Sequence, residues 1–231
     1  MKVSAIVLAA GLGSRMPGKT KKQFLRIGDK PILFYSLKTF QTCQVVDEII
    51  LVVNEEDLAF AAQNIVDQYG ISKVNKIIPG GTERQDSVLC GLVAVEKNPD
   101  IVVIHDGVRP FVTKQQIEHG VKECSKHDAV VCAVPVISTI KQAKDGVILK
   151  TINRKELWEI QTPQIFNYKL ILSAYRDAGS NSFIATDDAM IIERLGKKVH
   201  VLPSDRKNIK ITTLDDLDFA GYLLEKGKWC E

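Results

Sequence analysis

The sequence predicts a doubly wound α/β fold, in which helices cover both faces of a mostly parallel β-sheet. Short apolar runs rich in Val and Ile recur along the chain, as expected for strands that are buried on both faces. These runs are residues 3–9, 48–53, 74–78, 100–105 and 129–136. Helical patterns separate them, and such alternation is typical of a parallel sheet. We expect all 231 residues to form one domain.

The expected helices have recognisable starts and ends. Pro31 stands at a first helical position before an apolar stretch, and Gly70 ends a pattern that begins at Leu58. Further helices are expected at 167–178 and 186–195, and a closing helix is expected after a cap at Thr212 or Thr213. Shorter strands are expected at 198–202 and 208–212.

Residues 139–152 interrupt this alternation. They form two short polar strands around Asp145-Gly146, which is a favoured hairpin turn. Because an isolated two-stranded ribbon is marginally stable, we expect this protruding β-hairpin to pack on something else. The segment at about 137–153 is therefore expected to be a dimerisation arm that contacts a second copy of the chain.

Composition excludes several classes of protein. Apolar residues make up 45% of the chain and charged residues 26%, as in ordinary globular proteins. A net charge of +3 is too small for a protein that coats nucleic acid, and no apolar run approaches the roughly 18 residues of a membrane span. The five cysteines include no C-x-x-C pair, which favours reduced thiols and a cytoplasmic location. The first apolar run could also be a short signal peptide, but the similar runs downstream favour a strand.

A glycine-rich, basic loop follows the first predicted strand. Between residues 15 and 30, six Lys and Arg residues stand against one Asp, a local net charge of +5. Although a charge run is often only a solvated loop, ligands of α/β sheets bind at the carboxyl ends of strands. The position of this loop therefore favours a binding site for a triphosphate.

Two familiar phosphate-binding motifs fit this loop less well. Gly13, Gly18, Lys19 and Thr20 match G-x-x-x-x-G-K-T, but a P-loop needs a long helix directly afterwards, which Pro31 prevents. The dinucleotide fingerprint G-x-G-x-x-G fails because its third glycine is replaced by methionine.

Several motifs in order along the chain carry a family resemblance. They include LAAGLGSRM, ERQDSV, HDGVRP, QTPQ and NIKIT. The chain thereby resembles the sugar-phosphate nucleotidyltransferase superfamily and, within it, the 2-C-methyl-D-erythritol 4-phosphate cytidylyltransferase family. The resemblance implies transfer of a cytidylyl group from CTP to that sugar-alcohol phosphate, with Mg²⁺, in non-mevalonate isoprenoid biosynthesis. The alternatives are a ribitol 5-phosphate cytidylyltransferase, a P-loop kinase or NTPase that uses Lys19, and a non-catalytic nucleotide sensor.

The resemblance also implies roles for individual residues. The catalytic residues would be Arg15, Lys22 and Lys210. The nucleotide-binding residues would be Ala9, Ala10, Gly11, Gly13, Gly80, Gly81, Arg84, Ser87 and Asp106, with Asp106 also the metal ligand. The second substrate would contact Arg109, Thr139, Arg154, Thr186 and Lys210, and the homodimer would exchange its arms so that sites are shared.

Spacing alone leaves other interpretations open at two of these positions. Arg109 could form a surface ion pair, and Lys210 could point outward from a strand. The chain also departs from the family pattern twice, because Lys21 stands where proline is usual and Ser204 where glycine is common.

Overall fold

A seven-stranded sheet lies at the centre of the computed structural model, which describes residues 1–11, 20–96, 98–181 and 183–227. The strands of the described residues are β1 (Val3–Ala9), β2 (Arg26–Ile27), β3 (Lys30–Pro31), β4 (Glu48–Val53), β5 (Val74–Pro79), β6 (Ile101–Asp106), β7 (Ala129–Pro135), β8 (Ile140–Lys144), β9 (Val147–Ile152), β10 (Trp158–Asn167) and β11 (His200–Pro203).

Helices alternate with these strands along the chain. They are α1 (Ile32–Thr42), α2 (Leu58–Ala61), which continues as a π-helical segment (Ala62–Asp67), α3 (Arg84–Ala94), α4 (Lys114–His127), α5 (Tyr168–Ser180), α6 (Asp188–Arg194) and α7 (Leu214–Glu225). Short 3₁₀ turns occur at Lys22–Phe24, Glu55–Asp57 and Arg154–Glu156. None of the helices in the described ranges is long and apolar enough to cross a membrane.

The order of strands in the sheet confirms the predicted fold class. The order is β11-β7-β10-β6-β1-β4-β5, and β10 alone of these described strands runs antiparallel to its neighbours. The chain thus winds outward from β1 in both directions, which is the doubly wound arrangement.

The side chains of β1 explain why its sequence is apolar throughout. Val3, Ala5 and Val7 pack into a core with α1 and α4, whereas Ile6 and Leu8 pack into a second core with α3 and α5. Successive side chains of a strand point to opposite faces, so a strand with a core on each side needs no polar face.

Several predicted boundaries are confirmed and two details are wrong. Asn167 and Thr213 cap α5 and α7, and Gly70, with φ of +61°, is the last residue of the turn after the π-helical segment. Pro31 lies just before α1 and belongs to β3. The predicted strand at 208–212 is irregular chain, because the buried Asn208 side chain donates hydrogen bonds to Gln161 and Thr162.

The hairpin forms as expected from β8 and β9. Asp145 and Gly146 have φ of 51° and 80°, the positive values that a tight hairpin turn requires. Three consecutive apolar side chains of β9 are 58–64% exposed: Val147, Ile148 and Leu149. The hairpin therefore extends away from the central sheet with an uncovered apolar segment.

Candidate active site

A cavity of about 370 Å³ opens at the carboxyl ends of β1, β4, β5 and β6. This edge of the sheet is where α/β proteins bind ligands. Of the predicted site residues, those that line the cavity are Ala9, Ala10, Gly11, Lys22, Gly81, Arg84, Ser87, Asp106 and Lys210. The fold therefore brings together segments that lie up to about 200 residues apart in sequence.

Asp106, the last residue of β6, stands between two cations. Its Oδ1 lies 3.1 Å from Arg84 Nε, and its Oδ2 lies 2.7 Å from Lys210 Nζ. Burial alone would raise the pKa of Asp106, but the charges of Arg84 and Lys210 outweigh burial and hold that pKa well below its usual range. Asp106 is therefore a permanent carboxylate at the cavity wall.

Arg84 begins α3 and is held by a second carboxylate. Its two terminal nitrogens each donate a 2.9 Å hydrogen bond to Asp188, which is fully buried at the start of α6. Tyr175 donates its hydroxyl proton to the same carboxylate. Burial works against the charge of Arg84, yet Asp188 and Asp106 together keep its pKa well above the usual value. The guanidinium group is thus a fixed positive charge.

The end of β6 is supported from behind by His105. Burial lowers the pKa of His105 to about 4, so the ring is neutral at pH 7. Its Nε2 lies 3.2 Å from the carbonyl oxygen of Arg109, which can only accept, so we assign the ring proton to Nε2. Thr162 then donates to Nδ1 and accepts from the backbone N–H of Asp106, at 3.1 Å and 3.0 Å. This chain of hydrogen bonds fixes the backbone that carries Asp106.

Lys210 and Arg109 come from segments that are linked to each other. Arg109 is half-buried and donates a 2.7 Å hydrogen bond from Nη1 to the carbonyl oxygen of Asn208. The N–H of Ile211 donates in turn to the carbonyl oxygen of Val108. These bonds set Lys210 opposite Asp106, so Lys210 does not point outward from a strand. Arg109 forms no surface ion pair among the described residues, and it does not line the cavity.

Gly80 and Gly81 connect β5 to α3 in very little space. A Cβ atom on Gly80 would lie 2.6 Å from Ser87 Oγ and 2.7 Å from Ala10 Cβ. On Gly81 it would lie 2.3 Å from the Cβ of Asp86. The two glycines therefore let this loop approach both α3 and the end of β1.

Lys22 lines the cavity from the 3₁₀ turn at Lys22–Phe24. The next residue, Gln23, is buried and donates a 2.7 Å hydrogen bond to the carbonyl oxygen of Ala9. The turn therefore sits directly against the end of β1. Arg15, Gly13 and Lys19 lie outside the described residues.

Three further predicted residues do not line the cavity. Thr139 and Arg154 are exposed at the base of the hairpin, where Arg154 donates to the carbonyl oxygen of Ile137. Thr186 is exposed two residues before the buried Asp188. Within one described chain, these three side chains do not join the residues around Asp106.

Sequence reasoning missed three residues of this site. Asp188 follows another aspartate at a helix start, where acidic residues are common as caps, so no local signal marks it as a buried partner of Arg84. Gln23 and Asn54 both line the cavity, and Gln23 Oε1 and Asn54 Nδ2 are buried with no hydrogen-bond partner among the described residues. These two atoms are unpaired polar groups on residues that line the cavity.

The residues around the cavity fit a magnesium ion that is held by one carboxylate together with substrate phosphates. The described residues include no group of three or more His, Cys, Asp or Glu side chains placed to hold a metal. Mg²⁺, however, is commonly held by one or two carboxylates together with substrate phosphates and water. Asp106 is one such carboxylate, and it faces a cavity that has cations for phosphate groups.

The doubly wound sheet, the glycine loops and the cations at the strand ends together define a nucleotidyltransferase. The comparisons with known proteins then identify its family. The model of the 2-C-methyl-D-erythritol 4-phosphate cytidylyltransferase (IspD) family matches residues 3–226. The chain belongs to this family.

Individual relatives cover nearly the whole chain. The 2-C-methyl-D-erythritol 4-phosphate cytidylyltransferase of Clostridium acetobutylicum is 47% identical over 96% of this chain and 97% of its own. The one of Clostridium botulinum (strain Okra) is 45% identical over 97% and 98%. The crystal structure of 4-diphosphocytidyl-2C-methyl-D-erythritol synthase from Anaerococcus prevotii is 32% identical, with a TM-score of 0.85, and covers 97% of this chain and 98% of that one.

Proposed function

We propose that the protein transfers the cytidylyl group of CTP to 2-C-methyl-D-erythritol 4-phosphate and releases pyrophosphate, a reaction of isoprenoid biosynthesis. The chain belongs to the family that catalyses this reaction, and one observation on its structure supports the proposal. Asp106 lies between Arg84 and Lys210 in a cavity at the strand ends, and Lys22 lines the same cavity.

The chemistry needs fixed cations more than it needs a base. An oxygen of the phosphate monoester attacks the α-phosphorus of CTP, forming a new P–O bond while the bond to pyrophosphate breaks. A phosphate dianion is already a nucleophile, and negative charge grows on the α-phosphoryl oxygens. Lys22 and Lys210, with Arg15 from the loop, would stabilise that charge.

The nucleotide would lie against the glycine loops. Backbone groups of residues 9–11 and of Gly13 would surround CTP, and Gly80, Gly81 and Ser87 would hold the pyrimidine. Asp106 would hold a magnesium ion together with the phosphate oxygens, and the ion would supply charge neutralisation there. Gln23 Oε1 and Asn54 Nδ2 would add two polar contacts.

The second substrate would be bound between two copies of the chain. Thr186, Arg109 and Lys210 would come from one copy, and Thr139 and Arg154 would come from the arm of the other. Exposed apolar side chains on β9, and a cavity that Thr139 and Arg154 of the same chain do not line, support an exchange of arms in a homodimer. Buried, unpaired thiols at Cys43, Cys124 and Cys132 support a reducing, cytoplasmic compartment.

A pyrophosphate-release assay tests the activity directly. The wild type is given CTP, Mg²⁺ and either 2-C-methyl-D-erythritol 4-phosphate or ribitol 5-phosphate. We expect turnover with the first, and turnover with ribitol 5-phosphate alone would reassign the substrate.

The same assay on protein variants tests the roles of individual residues. Lys22→Ala and Lys210→Ala should each lower kcat by about 100-fold, as loss of one transition-state cation does elsewhere. Lys207→Ala is the matched control, because Lys207 is exposed and pairs with Asp205. Lys19→Ala should retain activity. If Lys19→Ala were inactive and Lys22→Ala active, Lys19 and not Lys22 would be the catalytic lysine.

A further inference from the structure

Lys21, the residue before Lys22, forms ion pairs with two carboxylates of another segment. Its Nζ lies 2.7 Å from Asp57 Oδ2 and also contacts Glu56 Oε1. The Lys21 side chain is only 19% exposed, and that of Asp57 is 13% exposed. This pairing joins the residue before the Lys22–Phe24 turn to the 3₁₀ turn after β4.

Neighbouring contacts hold the Lys22–Phe24 turn at other points. Gln23 binds the carbonyl oxygen of Ala9, as described above, and the ring of Phe24 meets the ring of Phe60 edge-on at 4.8 Å. Lys21 directly precedes this turn, and the N–H of Phe24 donates a 2.9 Å hydrogen bond to its carbonyl oxygen. The ion pairs of the Lys21 side chain add to this bond in holding the chain directly before Lys22.

We propose that Lys21, Glu56 and Asp57, here called the Lys21 clasp, position Lys22 for catalysis. The inference rests on the function proposed above, because it assigns Lys22 to the growing charge at the α-phosphorus. Lys21 is then a positioning residue, which acts through Lys22 and does not itself touch the substrate.

Electrostatics argue against a direct role of Lys21 in binding phosphate. Burial lowers the pKa of Lys21, but hydrogen bonds to Asp57 and Glu56 outweigh it and raise that pKa, so the ammonium is charged and engaged. One positive charge against two negative ones leaves the clasp with a negative balance. A group of that sign attracts no triphosphate, so its contribution is geometric.

The backbone of Lys21 offers a second way to hold the same geometry. Its φ of −62° and ψ of 142° are values that proline adopts without strain. A Lys21→Pro variant therefore removes the ion pairs and restricts φ to nearly its present value. It separates the position of the backbone from the charge of the side chain.

The test compares kcat and KM for CTP in Lys21→Ala, in Glu56→Gln/Asp57→Asn, in the triple variant and in Lys21→Pro. Lys126→Ala is the control, because Lys126 forms one ion pair with Glu123 on α4, far along the chain from the clasp. We expect kcat to fall about 10-fold in Lys21→Ala and in Glu56→Gln/Asp57→Asn alike, with KM changed by less than about 3-fold. The triple variant should lose no more, and Lys21→Pro should recover at least about half of the loss.

Other results would overturn the clasp. Full activity of Lys21→Ala, or losses that add in the triple variant, would show that the three residues do not act together. A raised KM for CTP in Lys21→Ala, with normal kcat in Glu56→Gln/Asp57→Asn, would make Lys21 a direct phosphate ligand. If the wild type itself released no pyrophosphate, the proposed function would fail.

Hydrogen exchange tests the clasp independently of turnover. Lys21→Ala should speed exchange in residues 20–25 and 55–61 while leaving α4 unchanged. Unchanged exchange in both segments would overturn the clasp whatever the assay shows.

Discussion

Arg84 and Asp188 form a two-fold hydrogen-bonded ion pair, with 2.9 Å from each terminal nitrogen to a different carboxylate oxygen. The pair joins the first residue of α3 to the first residue of α6 across 104 positions of sequence. The third nitrogen of the guanidinium group, Nε, donates a 3.1 Å hydrogen bond to Asp106. The pair therefore fixes the direction in which Arg84 approaches the carboxylate at the end of β6.

Asp188→Asn should damage both stability and activity. The amide keeps the shape of the side chain but removes a buried negative charge, and one of the two oxygens that accept from Arg84 and Tyr175 becomes a nitrogen that cannot accept. Breaking a buried ion pair from one side costs about 3 kcal/mol of unfolding free energy. We expect chemical denaturation to show that loss, and kcat to fall at least about 10-fold because Arg84 no longer aligns Asp106.

Tyr175→Phe separates the two effects of Asp188. It removes one hydrogen-bond donor to the same carboxylate and leaves the contact with Arg84 in place. We expect a smaller loss of stability, about 1 kcal/mol, and nearly normal kcat. Equal kcat values for Asp188→Asn and the wild type would refute the positioning of Asp106 by this pair.

The central strands could be predicted from sequence because burial on two faces leaves an uninterrupted apolar run. β1, β4 and β6 begin and end within a residue or two of their predicted limits. The strand expected at 208–212 does not form, because the buried Asn208 side chain donates hydrogen bonds to the QTPQ segment. This contact joins residues nearly 50 positions apart. No local pattern could show that contact.

The candidate site was also predicted only in part. Its cations and glycines follow motifs, so Asp106 and Lys210 were expected, and the structure places them 2.7 Å apart. Asp188 was missed because adjacent aspartates at a helix start have the same pattern whether they cap the helix or are buried. Its partner is on another helix, and only the packing of α3 against α5 and α6 brings the two together.

Glu48→Gln should make the protein less stable at neutral pH and less sensitive to acid. Burial would raise the pKa of Glu48, but hydrogen bonds from Ser4 and Asn75 and the charge of Lys2 outweigh it, so the pKa is lowered. A lowered pKa in the folded state stabilises the fold above the unfolded-state value, and this stabilisation is lost as the pH falls through the folded-state value.

Denaturation of both proteins across pH measures this effect. We expect Glu48→Gln to lose about 1.5 kcal/mol at pH 7, with the difference shrinking below about pH 4. Glu118→Gln, an exposed change on α4, is the control and should follow the wild type. A difference that stays constant from neutral to acid pH would contradict the role of the Glu48 charge.

Ile148→Lys with Leu149→Lys should convert a dimer into monomers. Both side chains are exposed on β9, by 61% and 58%, and a second copy would cover them in the arm-exchanged dimer. Light scattering should give about twice the chain mass of 25.7 kDa for the wild type and about that mass for the variant. Lys144→Glu, on the same hairpin, is the control, and a monomeric wild type at micromolar concentration would refute the exchange.

Gly80→Ala should weaken CTP binding. The new methyl group would lie 2.7 Å from Ala10 Cβ and 2.6 Å from Ser87 Oγ, so the loop must move away from β1 or α3. Both neighbours line the cavity, and forced shifts of this kind cost about 1–3 kcal/mol. Calorimetry should show at least about 10-fold weaker CTP binding, since about 1.4 kcal/mol corresponds to one power of ten. Gly179→Ala on α5 meets nothing within 4 Å and is the matched control, so equal CTP affinities in the two variants would show that the close approach at Gly80 does not shape the nucleotide site.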